Sequence, residues 1–198
     1  MLNKNMKQNT PAVFTIGCIN WKDFPYKPDV LVTLSQNGNS LLLHFNVKEK
    51  CIRAEVSNIN GPVHEDSCVE CFISPFRNGN YYNFEFNCIG TAHAAYGPER
   101  KKRERIPLGI VKKIRTEPSL GKTPFPLKEG DFSWDLKVEI PKECFIHDPI
   151  SSFNGLPVRA NFYKCGDKTS DPHFLSWQPV NTENPDFHQY RFLYNLTL

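Results

Sequence analysis

The chain is 198 residues long with a formal net charge of +3, which allows one domain with a sizeable core and singles out no charged partner. Fifteen Phe, seven Tyr and three Trp against two Met describe a body packed by rigid aromatic rings, and sixteen Pro with eleven Gly exclude long helices. Seven cysteines, an odd number scattered through apolar runs, exclude a fully disulfide-paired secreted module.

Residues 1–11 are polar and read as a disordered tail ahead of one domain over residues 12–198. The first ten lack the apolar stretch of a signal peptide, and the unpaired cysteines incline the reading towards the cytoplasm. No stretch approaches transmembrane length, so no membrane partner is expected. Residues 13–19 form a strand candidate, and the Pro-rich run WKDFPYKP over residues 21–28 is a connection carrying three aromatics. Residues 30–34 and 40–47 flank an Asn37-Gly38 turn, which predicts a hairpin. Residues 51–56 are a further strand or an irregular edge.

Residues 66–90 give the clearest pattern, two β-branched and aromatic runs around an Asn78-Gly79 turn. In the second run Tyr82, Phe84, Phe86 and Cys88 alternate with Tyr81, Asn83, Glu85 and Asn87. In the first, Val69, Cys71 and Ile73 oppose Glu70 and Phe72. One face is therefore core, and the other gathers Glu70, Asn83, Glu85 and Asn87.

The charge run PERKKRER at residues 98–105 reads as a solvated loop. Glu99 and Glu104 interrupt it and no aromatic is interleaved, so a nucleic-acid partner is not expected. Residues 110–115 are a strand candidate, and residues 118–130 a Pro- and Gly-rich loop. The GKT at residues 121–123 lacks the leading glycine of a phosphate loop, since Thr116 stands there. Residues 132–140 alternate, with Phe132, Trp134, Leu136, Val138 and Ile140 on the core face, and residues 141–147 allow one helical turn. Residues 158–165 are a strand showing Arg159, Asn161 and Tyr163 on one face. A short run at residues 174–177 leads through a Pro-rich loop to a closing strand at residues 191–198. Many short strands separated by turn signals predict an all-β fold, an antiparallel two-sheet β-sandwich of immunoglobulin or jelly-roll type with minor helical turns.

A row of carboxylates and amides on one sheet face offers several donors and acceptors over a small area, as sugar hydroxyls require. Trp21, Tyr26, Tyr81, Phe187 and Tyr190 are the aromatics expected in exposed loops, where a ring can lie against a sugar's C–H face. Two other chemistries compete. Glu70 and Glu85 on one face meet the minimum for a glycoside hydrolase, with Arg159 or Arg103 available to neutralise them. A haem site would have to use imidazoles of His64, His93 or His188, since Met1 and Met6 both fall in the tail. A zinc site at Cys68 and Cys71 is excluded, because residues three apart on a strand point to opposite faces.

Three segments, VHEDSCVECF at residues 63–72, YYNFEFNCIG at residues 81–90, and FLSWQP at residues 174–179 with PDFH at residues 185–188, together resemble the family 9 carbohydrate-binding modules, most closely the single-domain relatives. The resemblance runs from about residue 13 to the C-terminus. It implies a two-sheet sandwich of the DOMON-like superfamily, non-catalytic binding of an oligo- or polysaccharide in support of glycoside hydrolases, and structural calcium. Family members hold a terminal sugar between two aromatic rings, with a Glu, an Arg and amides on its hydroxyls. On this pattern Glu70 matches the binding Glu, and His64 lies near the first clamp aromatic. Phe187, within Asp186-Phe187-His188, lies at the second. The binding Arg falls on Glu85, a charge reversal, and the late-strand amide on Tyr163, next to Asn161 and Lys164. Trp177 matches a Trp expected in the core. The expected ligand contacts are therefore Glu70 and Asn161, then Glu85, Asn87, Arg159 and Tyr163, with His64 and Phe187 stacking.

Overall fold

The computed structural model describes residues 11–198, so the expected tail, apart from Pro11, lies outside the described residues. The chain forms β1 (Ala12–Thr15), β2 (Cys18–Ile19), β3 (Asp29–Gln36), β4 (Ser40–Ala54), β5 (Cys68–Ser74), β6 (Tyr81–Asn87) and β7 (Ala92–Gly97). It continues through β8 (Glu104–Arg105), the single-turn α1 (Leu108–Val111), β9 (Arg115–Pro118), β10 (Phe125–Pro141), β11 (Pro157–Cys165), β12 (Phe174–Ser176) and β13 (Tyr194–Thr197). Every pairing is antiparallel. One five-stranded sheet has the order β1-β3-β4-β10-β9; an eight-stranded sheet has the order β2-β12-β11-β5-β6-β7-β8, with β13 also on β11. The result is the expected sandwich, with two open sheets rather than a closed barrel.

The period-two pattern sets the core. Val32, Leu34, Leu43, Phe45, Leu136 and Val138 from one sheet pack on Val69, Cys71, Ile73, Phe84 and Phe162 from the other. The Asn-Gly hairpins form as read, with Gly38 and Gly79 at φ +83° and +88°, which a side chain would strain.

Several elements differ from the reading. Residues 13–19 are two strands, because the chain crosses between sheets: β1 pairs with β3 while β2 pairs with β12. Residues 51–54 continue β4, whose Cys51 and Ile52 pair with Glu129 and Lys128 of the long β10. The run at 110–115 is no strand; α1 occupies its start and β9 begins only at Arg115. Trp21, Tyr81 and Phe187 are buried rather than displayed in loops. Above all, β5 and β6 are buried on both faces, so the polar face is not open to solvent. A second apolar cluster covers it, in which Trp21, Val63, Val180, Phe187 and Leu193 from the loops meet Cys68, Phe72, Tyr81, Tyr163 and Cys165.

A buried polar staple joins the sheets beside this cluster. Lys164 Nζ on β11 lies 2.9 Å from Glu49 Oε2 on β4, both side chains inaccessible. Trp134 Nε1 donates to Glu49 Oε1 at 2.7 Å, and Lys164 Nζ also donates to Cys165 O at 3.0 Å. Lys164 reaches His173 Nε2 at 2.8 Å, while the ring's Nδ1 faces Asp171 O at 2.8 Å, so a neutral His173 donates at Nδ1 and accepts at Nε2. Burial, then the Lys164 charge, hold His173 well below the usual imidazole range.

Two outcomes follow. Lys164→Met strands the Glu49 carboxylate in the interior and should cost about 3–5 kcal/mol by urea unfolding, and adding Glu49→Leu should cost less than the two single losses combined. His173 stays neutral in the folded protein and takes a proton when unfolded below about pH 6.5. Its contribution is therefore present above that pH and lost as pH falls. The stability advantage of the native chain over His173→Gln should shrink by about 1.4 kcal/mol per pH unit from 6.5 downward.

Candidate ligand-binding site

The register of four adjacent strands builds the floor. Tyr163 on β11 pairs with Glu70 on β5, Glu70 with Glu85 on β6, and Glu85 with His93 on β7, one rung across the sheet. The next rung runs Asn161, Phe72, Asn83, Ala95, Arg105, and the one before it Cys165, Cys68, Asn87. Glu70 and Glu85 are thus direct cross-strand neighbours.

Loops raise walls over this floor and leave a cavity of about 360 Å³. Glu70, Glu85, His93 and Cys165 form its sheet side; His64, Asp167, Arg100, Arg103, Phe174 and the segment from Pro185 to His188 form the rest. The two longest walls are tied together. Glu99 bridges to Gln189 through backbone, and Arg100 donates to Asp186 Oδ1 at 3.1 Å and to Pro185 O at 3.2 Å. Asp186 also accepts from His188 N and Gln189 Nε2, which holds Phe187 in place.

The electrostatics are mixed and close. Asn83 Nδ2 donates to Glu85 Oε1 at 2.8 Å, and Arg103 Nη1 lies 3.8 Å from the same oxygen. His64 Nδ1 is 4.0 Å from Glu85 Oε2. Glu70 has weaker support: Cys165 Sγ donates to Oε1 at 3.1 Å. Burial first, and the Glu85 charge second, push the Glu70 carboxyl well above the usual range. Burial, then the Arg103 charge, hold His188 well below the usual imidazole range.

Among the described residues, Glu70 Oε2, His93 Nδ1 and Arg103 Nη1 on the lining, and Asn83 Oδ1 and Tyr163 Oη just behind it, are buried without a hydrogen bond. Such atoms are rare in folded proteins, and they give the lining unused donors and acceptors. Two donor or acceptor heteroatoms on basic side chains beside one carboxylate oxygen are what a ligand rich in hydroxyls would satisfy.

Of the residues singled out from sequence, Glu70, Glu85, His64 and Phe187 meet at the cavity. Phe187 is 6% exposed and stacked on Tyr163 at 4.2 Å, so it is packed wall rather than an open platform. The His64 side chain is 45% exposed at the cavity. The other four are not on the lining. Asn161 donates to Gln178 O and Phe192 O and accepts from Gln178 N, which fixes the C-terminal segment. Asn87 serves Val56 O, Asp66 and Thr91 N. Arg159 donates to Leu193 O and Arg191 O and covers the Tyr190 ring, so it does not neutralise Glu70 or Glu85. Tyr163 lies beneath Phe187. Trp177 packs on Phe14 and Phe162 as a core residue.

Arg103, one of the two arginines expected beside the carboxyls, does lie 3.8 Å from Glu85; reading the run at 98–105 as wholly solvated misses only its burial, the side chain being 16% exposed. The tie from Glu99 to the opposite wall is a backbone bridge, while its carboxylate pairs with Lys102, so the composition of the run carries no signal that this loop is anchored. Asp167, Cys165 and His188 were outside the expected set.

The residues do not fit calcium at either place where acidic groups are best buried. Asp66 accepts from Arg53, Glu55 N, Val56 N and Asn87, leaving no oxygen for a cation. The cluster of Cys68, Glu70 and Cys165 presents two sulfurs, whereas calcium takes oxygens.

Comparison with known proteins places this geometry. The model of the family described as carbohydrate-binding family 9 matches residues 1–198. A proposed carbohydrate-binding protein from Bacteroides uniformis is similar at 40% identity and TM-score 0.91, over 94% of this chain and 85% of its own. A family 9 carbohydrate-binding module from Caldicellulosiruptor kristjanssonii, in complex with glucose, shares the fold at TM-score 0.56 and 12% identity, over 94% and 84%. The same description with cellotriose gives 0.52 and 14%, over 96% and 82%. A search of curated proteins gives no match.

The coupled carboxyls make a direct test. In Glu85→Gln the second charge is gone, so the Glu70 carboxyl should titrate at lower pH than in the native protein by carbon-detected NMR. An unchanged Glu70 would assign its whole shift to burial.

Proposed function

We propose that this chain, which belongs to carbohydrate-binding family 9, binds carbohydrate without catalysis, its ligand being the end of a glycan seated in the cavity over Glu70 and Glu85. The observation that carries this reading is the set of buried, unsatisfied polar atoms converging there. A cavity of about 360 Å³ is the size that takes a small ligand, which favours a terminal sugar over the side of a long chain. Solved family 9 modules in complex with glucose and cellotriose support the same ligand class.

The roles divide by chemistry. Glu70 Oε2 accepts from a sugar hydroxyl, the strong charge-assisted contact. Arg103 Nη1 donates to a hydroxyl oxygen, and His93 Nδ1 serves a third. Glu85 holds Arg103 and Asn83 in position rather than meeting the sugar alone. His64 offers its exposed face to the apolar side of the ring, as an aromatic lid does. Asn161, Asn87, Arg159 and Tyr163 support the floor. Delivery of glycoside hydrolases to polysaccharide is the biological setting this binding fits.

The test is affinity electrophoresis and calorimetry across cello-, xylo- and other oligosaccharides. Glu70→Gln and Arg103→Met should each weaken binding by about 1.5–3 kcal/mol, roughly 10- to 100-fold, with the fold intact. Arg159→Ala should leave affinity unchanged. Equal affinity in the first two variants would refute the assignment.

A further inference from the structure

The floor of the cavity carries two sulfurs that the sugar reading does not use, beside the Glu70 carboxylate that it does. Cys68 on β5 and Cys165 on β11 are direct cross-strand partners, and Glu70 stands two residues along β5 on the same face. One ligand atom from each of the three lies within 4.8 Å of the other two. Cys165 Sγ and Glu70 Oε1 are already 3.1 Å apart. Both cysteines are free thiols, and Glu70 Oε2 is buried without a partner.

We propose that Cys68, Glu70 and Cys165 bind a thiophilic divalent cation of the zinc type, with the fourth coordination position open to the cavity. Zinc bonds sulfur at about 2.3 Å and carboxylate oxygen at about 2.0–2.2 Å, so a tetrahedral ion sets its ligand atoms roughly 3.5–4 Å apart. The Cys165–Glu70 pair has to open by a few tenths of an ångström from 3.1 Å, and a pair at the 4.8 Å limit would have to close by about an ångström. Two sulfurs select zinc over calcium or magnesium, and three protein ligands plus an open position is the arrangement of a reactive rather than a sealed zinc site. Cys165 and Glu70 line the cavity, which gives the ion its entry path.

The balance is simple. The cation forms two metal–sulfur bonds and one metal–oxygen bond and displaces the protons of two thiols and of Glu70 where it carries one. Burial holds the Cys68 thiol up at about 12, and the Cys68 contact, then burial, raises Cys165 as well, so the metal has to displace thiol protons. Lys164 and Arg103 lie near enough to offset the negative charge left on the loaded site.

The experiment titrates the full, reduced chain with Co²⁺ and then Zn²⁺ in the absence of any sugar, so its outcome is independent of carbohydrate binding. One equivalent of cobalt should give a near-ultraviolet thiolate charge-transfer band that zinc abolishes. Cys68→Ser and Cys165→Ser should each weaken the metal by about 100-fold or more, and Glu70→Gln by about 10-fold, while Cys18→Ser changes nothing. Should either serine variant fail to fold, X-ray absorption of the zinc-loaded native chain decides: it should show two sulfur ligands at about 2.3 Å beside lighter oxygen or nitrogen ligands. Absence of the charge-transfer band, or a zinc shell without sulfur, would overturn the proposal.

Discussion

The site depends on one register, that of β5 against β6. Pairing Glu70 with Glu85 sets two carboxyl groups side by side beneath the loops, and the same pairing sends Val69, Cys71, Phe84 and Phe86 into the space between the sheets. A slip of one residue would turn over the strand that slips, sending its acid into the sheet-to-sheet core and its aliphatic and aromatic residues out. The apolar core therefore enforces a polar arrangement that is unfavourable by itself. Like charges directly opposite on neighbouring strands repel, and the Glu70 carboxyl is raised by burial first and by that repulsion second.

Around that rung the protein gathers compensation from distant parts of the chain. Arg103 arrives from the loop after β7, His64 from the turn before β5, and Asp186 with His188 from the loop after β12. Arg100 clasps Asp186 across the cavity, so the two walls hold each other. What is left unsatisfied after these contacts is concentrated at the cavity: an oxygen of Glu70, a nitrogen of His93 and a nitrogen of Arg103. The chemistry of those leftovers, more than the volume, matches a polyhydroxylated ligand. The two sulfurs beside Glu70 add a different affinity to the same floor, one that draws on this carboxylate too.

Much of this was legible in the sequence because strand alternation is local. The faces of Tyr82, Phe84 and Phe86 against Asn83 and Glu85 follow from counting by two, as does the neighbourhood of Glu70 and Glu85 once the Asn78-Gly79 turn fixes the hairpin. The failures are all tertiary. Asn161 lies on the expected face, yet its amide is consumed by carbonyls of Gln178 and Phe192, far along the chain. Arg159 likewise turns to Leu193 and Arg191. Phe187 reaches the site but spends its face on Tyr163. Arg103 sits in a run whose composition describes a solvated loop, and the Glu99–Gln189 bridge together with the Arg100–Asp186 pair holds that run against the opposite wall. Cys68 cannot share a metal with Cys71, as strand geometry dictates, while its partner Cys165 lies on another strand that spacing alone does not identify.

The most direct measurement is a crystal structure of the protein soaked with a short glucan. The account predicts a terminal sugar over the β5–β6 rung, one hydroxyl within hydrogen-bond distance of Glu70 Oε2 and another within reach of Arg103 Nη1. Sugar density on any other face, with these two atoms still unpartnered, would contradict it.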